Sequence, residues 1–317
     1  MPSKSARRRV PTLALAIKPR REAEAWLAPI SAALPELRVA LLDDVKPSEV
    51  DYAAAWGTVA GLDRCPNLKA LISLGAGVDH ILANASLAHL PVIRMIDPGL
   101  TEGMTEFALL QVLHHHRRMP EFNAFQRDQQ WKPLYAPLAR NRCVGVMGLG
   151  ILGRDTTLHL KQLGFRIIGW SRSKHTIRGV RTFAGATGLK RFLAQAEILV
   201  CLLPLTPETR GILNAETFAQ LPKGASVINL ARGGHVVEAD LLAALNAGHL
   251  SGASLDVFHE EPLPKHNPLW AHPKVIVTPH IASLTQRDTG TLFVARSVRS
   301  LIAGKRPRGL VDRHRGY

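Results

Sequence analysis

The sequence predicts an α/β protein made of two doubly wound parallel-sheet domains with helices on the sheet faces. Three observations carry this reading. Short apolar runs of strand length alternate with helically spaced segments along the 317 residues, as parallel βα units do. A long helical segment over 105–119 divides these runs into an N-terminal and a second series. Ala, Leu and Val dominate a composition that is 46% hydrophobic and only 5% aromatic, a mix suited to helices packed on a sheet. A chain of this length has material for about two domains.

The elements follow in order. The first apolar run, 12–17, reads as a buried strand, and 21–34 as a helix with Trp26, Leu27 and Ile30 at helical spacing. Strands are expected at 37–42, 53–58 and 68–74, the last running into Gly75-Ala76-Gly77, and then at 92–96. The helix 105–119 leads into a polar stretch, 126–138. The second series has strands at 143–147, 165–170, 198–203, 226–230, 252–257 and 275–278. Helices are expected at 153–163, 189–194 and 239–247, the last stopped by Gly248, and a terminal helix at 285–303. The expected domains are a discontinuous one, 1–104 plus 285–317, and a second over 105–284. Ligands of such folds sit in a crevice at the carboxyl ends of the strands.

Charge and cysteine content narrow the function. Lys and Arg number 40 against 25 Asp and Glu, a net charge of +15, with part of the excess at the ends: Lys4, Arg7, Arg8 and Arg9, then Lys305, Arg306, Arg308, Arg313 and Arg315. A basic balance fits nucleic acid, membrane surfaces or anionic small molecules. No RNP-type motif, zinc spacing or basic heptad region occurs, so no nucleic-acid partner is expected. The ends read as solvated basic tails, compatible with a field that draws in an anionic substrate and a phosphate-rich cofactor. Cys65, Cys143 and Cys201 are far apart, odd in number and without metal spacing. They argue for a reducing compartment and against disulfides or a metal site. With no apolar run of about 18 residues and no signal-like stretch, the expected location is the cytoplasm.

Gly148-Leu149-Gly150-Ile151-Leu152-Gly153 is GxGxxG. Alone the pattern is weak. Here it follows an apolar strand and opens a helical pattern, the context of a Rossmann-type dinucleotide site. The glycines permit a tight turn and close approach to a pyrophosphate, and the helix N-terminus supplies amide donors. The next strand usually ends in Asp or Glu, which bonds the ribose hydroxyls of NAD. This chain instead has Ser171-Arg172-Ser173-Lys174. An arginine flanked by hydroxyls suits a 2′-phosphate, so NADPH is the preferred cofactor, with NADH possible.

Three segments of the second half each place a polar group just past a buried strand. They are Leu230-Ala231-Arg232-Gly233-Gly234, Asp256-Val257-Phe258-His259-Glu260-Glu261-Pro262, and Thr278-Pro279-His280-Ile281. With them, with Leu74-Gly75-Ala76-Gly77-Val78-Asp79 and with Leu203-Pro204-Leu205-Thr206-Pro207-Glu208-Thr209-Arg210, the chain resembles the D-isomer-specific 2-hydroxyacid dehydrogenases over nearly its whole length. Within that family it is most similar to the glyoxylate/hydroxypyruvate reductase A type.

The resemblance implies a catalytic set of Arg232, Glu261 and His280. Arginine can grip a keto-acid carboxylate in a fork and polarise the carbonyl. Histidine can give the proton that the new alkoxide needs, and the glutamate would orient the ring. The family pattern places this glutamate directly before proline, which selects Glu261 over Glu260. The resemblance also implies that Ala76, Gly77 and Val78 bind the substrate carboxylate through backbone amides. It makes Asp256 a partner of the nicotinamide carboxamide, and puts Leu203, Pro204, Thr209, Leu230 and Ala231 along the cofactor. Trp56 is a candidate wall of the substrate pocket, or a core residue. His114-His115-His116 at the end of the long helix lie on different faces, so they read as a cluster complementing the helix dipole rather than a metal site. Family members are usually dimers, so a homodimer is expected by resemblance. The reaction implied is reduction of a small 2-keto acid. The alternatives are a dehydrogenase for another D-2-hydroxy acid, or a non-enzymatic dinucleotide-sensing regulator of the same fold.

Overall fold

The computed structural model describes residues 9–57 and 59–317. The chain divides into two compact units, Met1–Leu100 with Thr285–Tyr317, and Thr101–Leu284. Lys4, Arg7 and Arg8, named above, and Thr58, the last residue of the strand expected at 53–58, lie outside the described residues.

The first unit opens with β1 (Thr12–Ile17), α1 (Arg20–Ala33), β2 (Arg38–Leu41), β3 (Tyr52–Trp56), β4 (Ala70–Ser73), α2 (Asp79–Leu82) and β5 (Val92–Ile93). Among the described residues these strands form one sheet in the order β2-β1-β3-β4-β5, parallel throughout. All six residues of β1 are buried, as expected of a parallel sheet covered on both faces.

The chain continues through α3 (Pro98–His116), α4 (Met119–Arg127), β6 (Cys143–Met147), α5 (Ile151–Gln162), β7 (Arg166–Ser171), β8 (Arg181–Ala184), α6 (Gly185–Leu193) and β9 (Ile198–Cys201). It goes on to α7 (Ala215–Gln220), β10 (Ala225–Asn229), α8 (Glu238–Asn246), β11 (Leu250–Leu255) and β12 (Val275–Val277). The second sheet has the order β12-β11-β10-β9-β6-β7-β8, again parallel. Alternate residues of its strands feed two cores. Met147, Leu199, Cys201 and Val227 face one, while Val144, Val146, Val200 and Ile228 face the other with Met104, Ala108 and Val112 of α3. The four-residue spacing of those α3 side chains makes one helical stripe. Finally α9 (Arg287–Ile302) returns to the first unit, where its Gly290 lies against the ring of Trp26.

The sheets and their order of strands follow the expected doubly wound pattern, with differences at the boundaries. Helix α3 begins at Pro98, seven residues before the expected start. Asp97 Oδ2 accepts from Leu100 N at 3.1 Å, and proline fits the first turn, where its missing N–H costs nothing. Between the long helix and the polar stretch expected at 126–138 the chain forms α4, which overlaps that stretch by two residues and is not among the expected helices. Arg118 at φ 61° ends one helix and starts the other. Edge strand β8 and helix α7 were not expected. The exposed Arg181 and four-residue length of β8 hide its alternation, and α7 is declared only by Asn214, whose side chain accepts from Thr217 N.

The basic ends are not simply solvated. Arg9 donates to Asp51 Oδ2 at 2.7 Å, where the carboxylate is 5% exposed. Arg313 donates to the carbonyls of Leu87 and Leu90 at 2.9 and 2.8 Å. Both arginines are used within the first unit, Arg9 on a buried carboxylate that also accepts from Thr12 N and Lys69 Nζ. Among the described residues no helix is long and apolar enough to cross a membrane.

The turn between β6 and α5 is set by sterics. Gly148 has φ 94°, a region open mainly to glycine. A Cβ on Gly153 would lie 1.8 Å from the carbonyl oxygen of Gly148. That collision is with backbone, so no rotamer change relieves it. Gly153→Ala should cost at least about 1–3 kcal/mol, lowering the melting temperature by several degrees. Thermal unfolding of the pure protein checks this, and an unchanged transition would show that the turn can yield.

Candidate active site

The carboxyl ends of β10, β11 and β12 are neighbours in the second sheet, and each is followed within three residues by a polar side chain: Arg232, Asp256 and His280. His280 takes a left-handed backbone conformation, φ 53°. Its amide donates to the Asp256 carbonyl at 2.8 Å and to the Thr278 carbonyl at 3.1 Å. Asp256 itself is buried, and its carboxylate gathers the same segment. Oδ1 accepts from Thr278 Oγ1 at 2.6 Å and Ile281 N at 3.0 Å, and Oδ2 from Ala282 N at 2.8 Å. The strand end and the loop beyond it are thus tied to one buried carboxylate.

Glu261 lies against this loop. Its Oε2 is 2.7 Å from His280 Nδ1, and its Oε1 accepts from Phe258 N at 2.9 Å. Burial pushes the Glu261 carboxyl up, but the His280 hydrogen bond, the Phe258 amide and the charges of His280 and Arg232 outweigh it and hold the group below its ordinary value. An ionised carboxylate only accepts, so His280 Nδ1 carries the proton between them. Both side chains are about one-third exposed, so the pair meets solvent. Arg232 is half-buried, and its Nη1 donates to the Ala231 carbonyl at 2.8 Å. Glu260 is exposed.

The glycine-rich turn precedes α5 in the same unit. Nothing lies within 4 Å of a Cβ built on Gly150, whereas Gly148 and Gly153 are closed by backbone. Leu149 is buried, Ile151 exposed and Leu152 between. At the end of β7, Ser171 is buried and its hydroxyl donates to the Ser173 carbonyl at 2.8 Å. This bond closes the turn that leaves Arg172 and Ser173 exposed. The Arg172 charge acts on Glu208, whose carboxyl is held below its ordinary value chiefly by a hydrogen bond from Thr206. The loop after β9 is braced by Thr209 Oγ1, which donates to the Pro204 carbonyl at 2.7 Å. An open glycine edge at a helix start, beside an exposed arginine turn without a carboxylate at the strand end, fits a phosphorylated dinucleotide.

The remaining residues expected at the site belong to the first unit. Ala76 and Gly77 are half-buried in the loop after β4, and Val78 is buried. Ser73 Oγ folds the loop back, donating to the Gly75 carbonyl at 2.9 Å and accepting from Gly75 N at 3.2 Å. A Cβ on Gly75 would lie 2.4 Å from the Trp56 ring. Half-buried Trp56 therefore packs on this loop.

The family model of the D-isomer specific 2-hydroxyacid dehydrogenase NAD-binding domain matches residues 109–282. The chain belongs to this family. It is 43% identical to a D-isomer specific 2-hydroxyacid dehydrogenase from Xanthobacter autotrophicus Py2, solved with NADPH and MES. That match covers 98% of this chain and 100% of the other, with a TM-score of 0.92. It is 40% identical to the NADPH-dependent glyoxylate/hydroxypyruvate reductase of Sinorhizobium meliloti, solved with NADP and sulfate, over 97% and 100% of the chains at a TM-score of 0.90. A probable 2-hydroxyacid dehydrogenase from Rhizobium etli CFN 42, solved with NADP, HEPES and L(+)-tartaric acid, is also 40% identical, over 97% and 99% of the chains, at a TM-score of 0.88.

Two features of this dehydrogenase depart from the expectations. The histidine cluster does not complement a helix dipole as cations. Burial lowers all three side chains, His115 to about 3, so the rings are neutral at neutral pH. His115 Nε2 lies 2.8 Å from Ser254 Oγ, and His116 packs edge-on against Phe165. Among the described residues no group of three or more potential ligands could hold a metal. The second departure is Thr278, which stood in a motif without a role, and His235, which the motifs did not single out. Thr278 completes the bonding of Asp256, and His235 is buried behind Arg232. Neither carries a local sequence signal, because their partners are distant or lie in backbone.

Proposed function

We propose that this dehydrogenase reduces a small 2-keto acid, glyoxylate or hydroxypyruvate, to the 2-hydroxy acid with NADPH, with Arg232, Glu261 and His280 as its catalytic residues. The observation that carries the proposal is the 2.7 Å His280–Glu261 pair at the end of β12, two strands from Arg232, whose charge reaches Glu261. A 2-keto acid presents a carboxylate beside a carbonyl. Arg232 offers a planar pair of donors to the one and polarises the other. Glu261 keeps the proton on His280 Nδ1, which leaves Nε2 as the position from which the ring delivers a proton to the developing alkoxide. Its negative charge stabilises the protonated ring before transfer.

NADPH, when bound, supplies the hydride. Gly148 to Gly153 would hold its pyrophosphate, and Arg172 with Ser173 its 2′-phosphate, on a turn that Ser171 shapes. Leu203, Pro204, Thr209, Leu230, Ala231 and Asp256 would line the rest. On this reading the second unit is the cofactor domain and the first the substrate domain, where the amides of Ala76, Gly77 and Val78 are candidate carboxylate donors on the loop that Trp56 packs against. Two relatives solved with NADP or NADPH at 40% and 43% identity, one of them named for glyoxylate and hydroxypyruvate, support this reading. A cytoplasmic homodimer completes it.

The test is steady-state kinetics on glyoxylate, hydroxypyruvate, pyruvate and 3-phosphohydroxypyruvate with each cofactor. NADPH should be favoured over NADH in kcat/KM. Arg172→Ala should shrink that preference about tenfold to a hundredfold, the worth of one charge-assisted bond at roughly 1.5–3 kcal/mol. Equal use of NADH by the wild type would remove Arg172 from cofactor choice. Turnover of another keto acid alone would reassign the substrate, and NADPH binding without any turnover would favour a sensor.

A further inference from the structure

The Arg232 turn is held from behind by two fully buried polar side chains. Asn229 and His235 are both 0% exposed. Asn229 Oδ1 accepts from Ala231 N at 3.2 Å, and its Nδ2 donates to the Arg232 carbonyl at 2.9 Å. His235 meets the same carbonyl twice, through its amide at 3.2 Å and through Nδ1 at 3.0 Å. Its other ring nitrogen, Nε2, lies 3.3 Å from the Pro204 carbonyl. Carbonyl oxygens only accept, so a neutral ring donates to one of the two through its single N–H, and only a protonated ring donates to both.

The surrounding backbone adds to the clamp. Gly211 N donates to the Gly234 carbonyl and Leu213 N to the His235 carbonyl, both at 2.9 Å. Gly233 is pressed on the chain that leads to Glu261, where an added Cβ would lie 1.9 Å from the Phe258 carbonyl carbon. His259 Nε2, in that same chain, lies 2.8 Å from the Val236 carbonyl.

Packing alone does not call for histidine at 235. An apolar side chain of similar size would fill the space without any polar group to desolvate. What the imidazole adds is a bond to the carbonyl of Arg232 itself, and a reach to the loop that begins at Pro204. The guanidinium of Arg232 folds back on the Ala231 carbonyl, so its position follows the backbone at 231 and 232. We propose that His235 is a positioning residue: it sets the Arg232 turn, and so the direction of the guanidinium, in register with the Pro204 loop. The proposal rests on the role given to Arg232 above.

Three variants separate this from a packing role. Asn at 235 places an amide nitrogen where Nδ1 stands, Gln reaches toward the Nε2 position, and Leu fills the volume without a donor. The measurements are KM and kcat for glyoxylate, NADPH affinity by fluorescence, melting temperature, and amide hydrogen exchange across residues 231–236. His235→Leu should raise the glyoxylate KM about tenfold, the order expected when a charged hydrogen-bonding partner is displaced, with a smaller change in kcat and NADPH affinity. It should also speed exchange in 231–236. His235→Asn should bring both KM and exchange back to within about threefold of wild type, and His235→Gln should not. The proposal is overturned if Leu matches the wild type in KM and exchange, or if Asn is as impaired as Leu. Should Leu fail to fold, the contrast between Asn and Gln decides, and equal behaviour of those two overturns it. Hydrogen exchange needs no turnover. If the wild type proves inactive on keto acids while exchange follows the predicted order, the turn-setting role stands and the reductase reading fails.

Discussion

Arg232→Ala should lower kcat/KM for glyoxylate and hydroxypyruvate by two to four orders of magnitude. The side chain is read as making two charge-assisted bonds to the substrate carboxylate, each worth roughly 1.5–3 kcal/mol. At about 1.4 kcal/mol per tenfold, losing both accounts for that range. Part of the loss should appear in kcat, because the same guanidinium polarises the carbonyl as charge develops on its oxygen. Arg232→Lys keeps the charge but not the planar fork. It should retain more kcat than the alanine variant while raising KM. NADPH affinity should change little in either, since the glycine turn and Arg172 lie on other loops of the unit. If Arg232→Ala keeps kcat/KM within about twofold of wild type, the keto-acid reading loses its main support. The Arg232 turn is built on buried donors rather than on the guanidinium, so folding should survive and the kinetics should be interpretable.

His280→Ala should reduce kcat by two to four orders of magnitude, the usual worth of a positioned general acid, with NADPH binding retained. The structure holds both the ring and the backbone of this residue. Its Nδ1 is taken by Glu261 at 2.7 Å, and its backbone by the Asp256 and Thr278 carbonyls. Glu261→Gln should fall between wild type and His280→Ala. An amide can still bond the ring, yet it offers no negative charge to the protonated form. Single-turnover reduction, which isolates chemistry from product release, is the measurement of choice. Near-normal turnover in His280→Ala would place proton delivery elsewhere, whereas a loss confined to KM would make His280 a binding group only.

Much of this was legible along the chain. The turn from β6 into α5 could be found because GxGxxG is local: strand, glycines and helix are contiguous, and each glycine answers a steric demand within a few residues. Arg232, Asp256 and His280 could be placed past strand ends because parallel strands buried on both faces announce themselves as short apolar runs. The pairing of His280 with Glu261 was reachable only through the family pattern. Nineteen residues separate the two, and nothing in their spacing requires a bond. Helix α4 stayed hidden because none of its nine residues is fully buried and Pro120 sits in its first turn, and strand β8 because only Phe183 of its four residues is buried. The early start of α3 was written in Asp97-Pro98, a cap and first turn, but Gly99 and Gly103 blurred the periodicity behind it.

The sequence by itself determined the two parallel sheets, the dinucleotide turn, the absence of a carboxylate at the end of β7, and the identity of the polar residues that follow β10, β11 and β12. These are consequences of local backbone sterics and of apolar runs, which act over a few residues and so can be read there. Tertiary structure alone decided how those residues are held. It spent both oxygens of Asp256 on the His280 loop and turned the His280 backbone left-handed. It lowered the Glu261 carboxyl by bringing His280, Phe258 and Arg232 around it, and neutralised the histidines at the end of α3 by burial. It also set His235 behind the Arg232 carbonyl. Each of these depends on which atoms come together in the folded chain, and a one-dimensional pattern does not encode such distances.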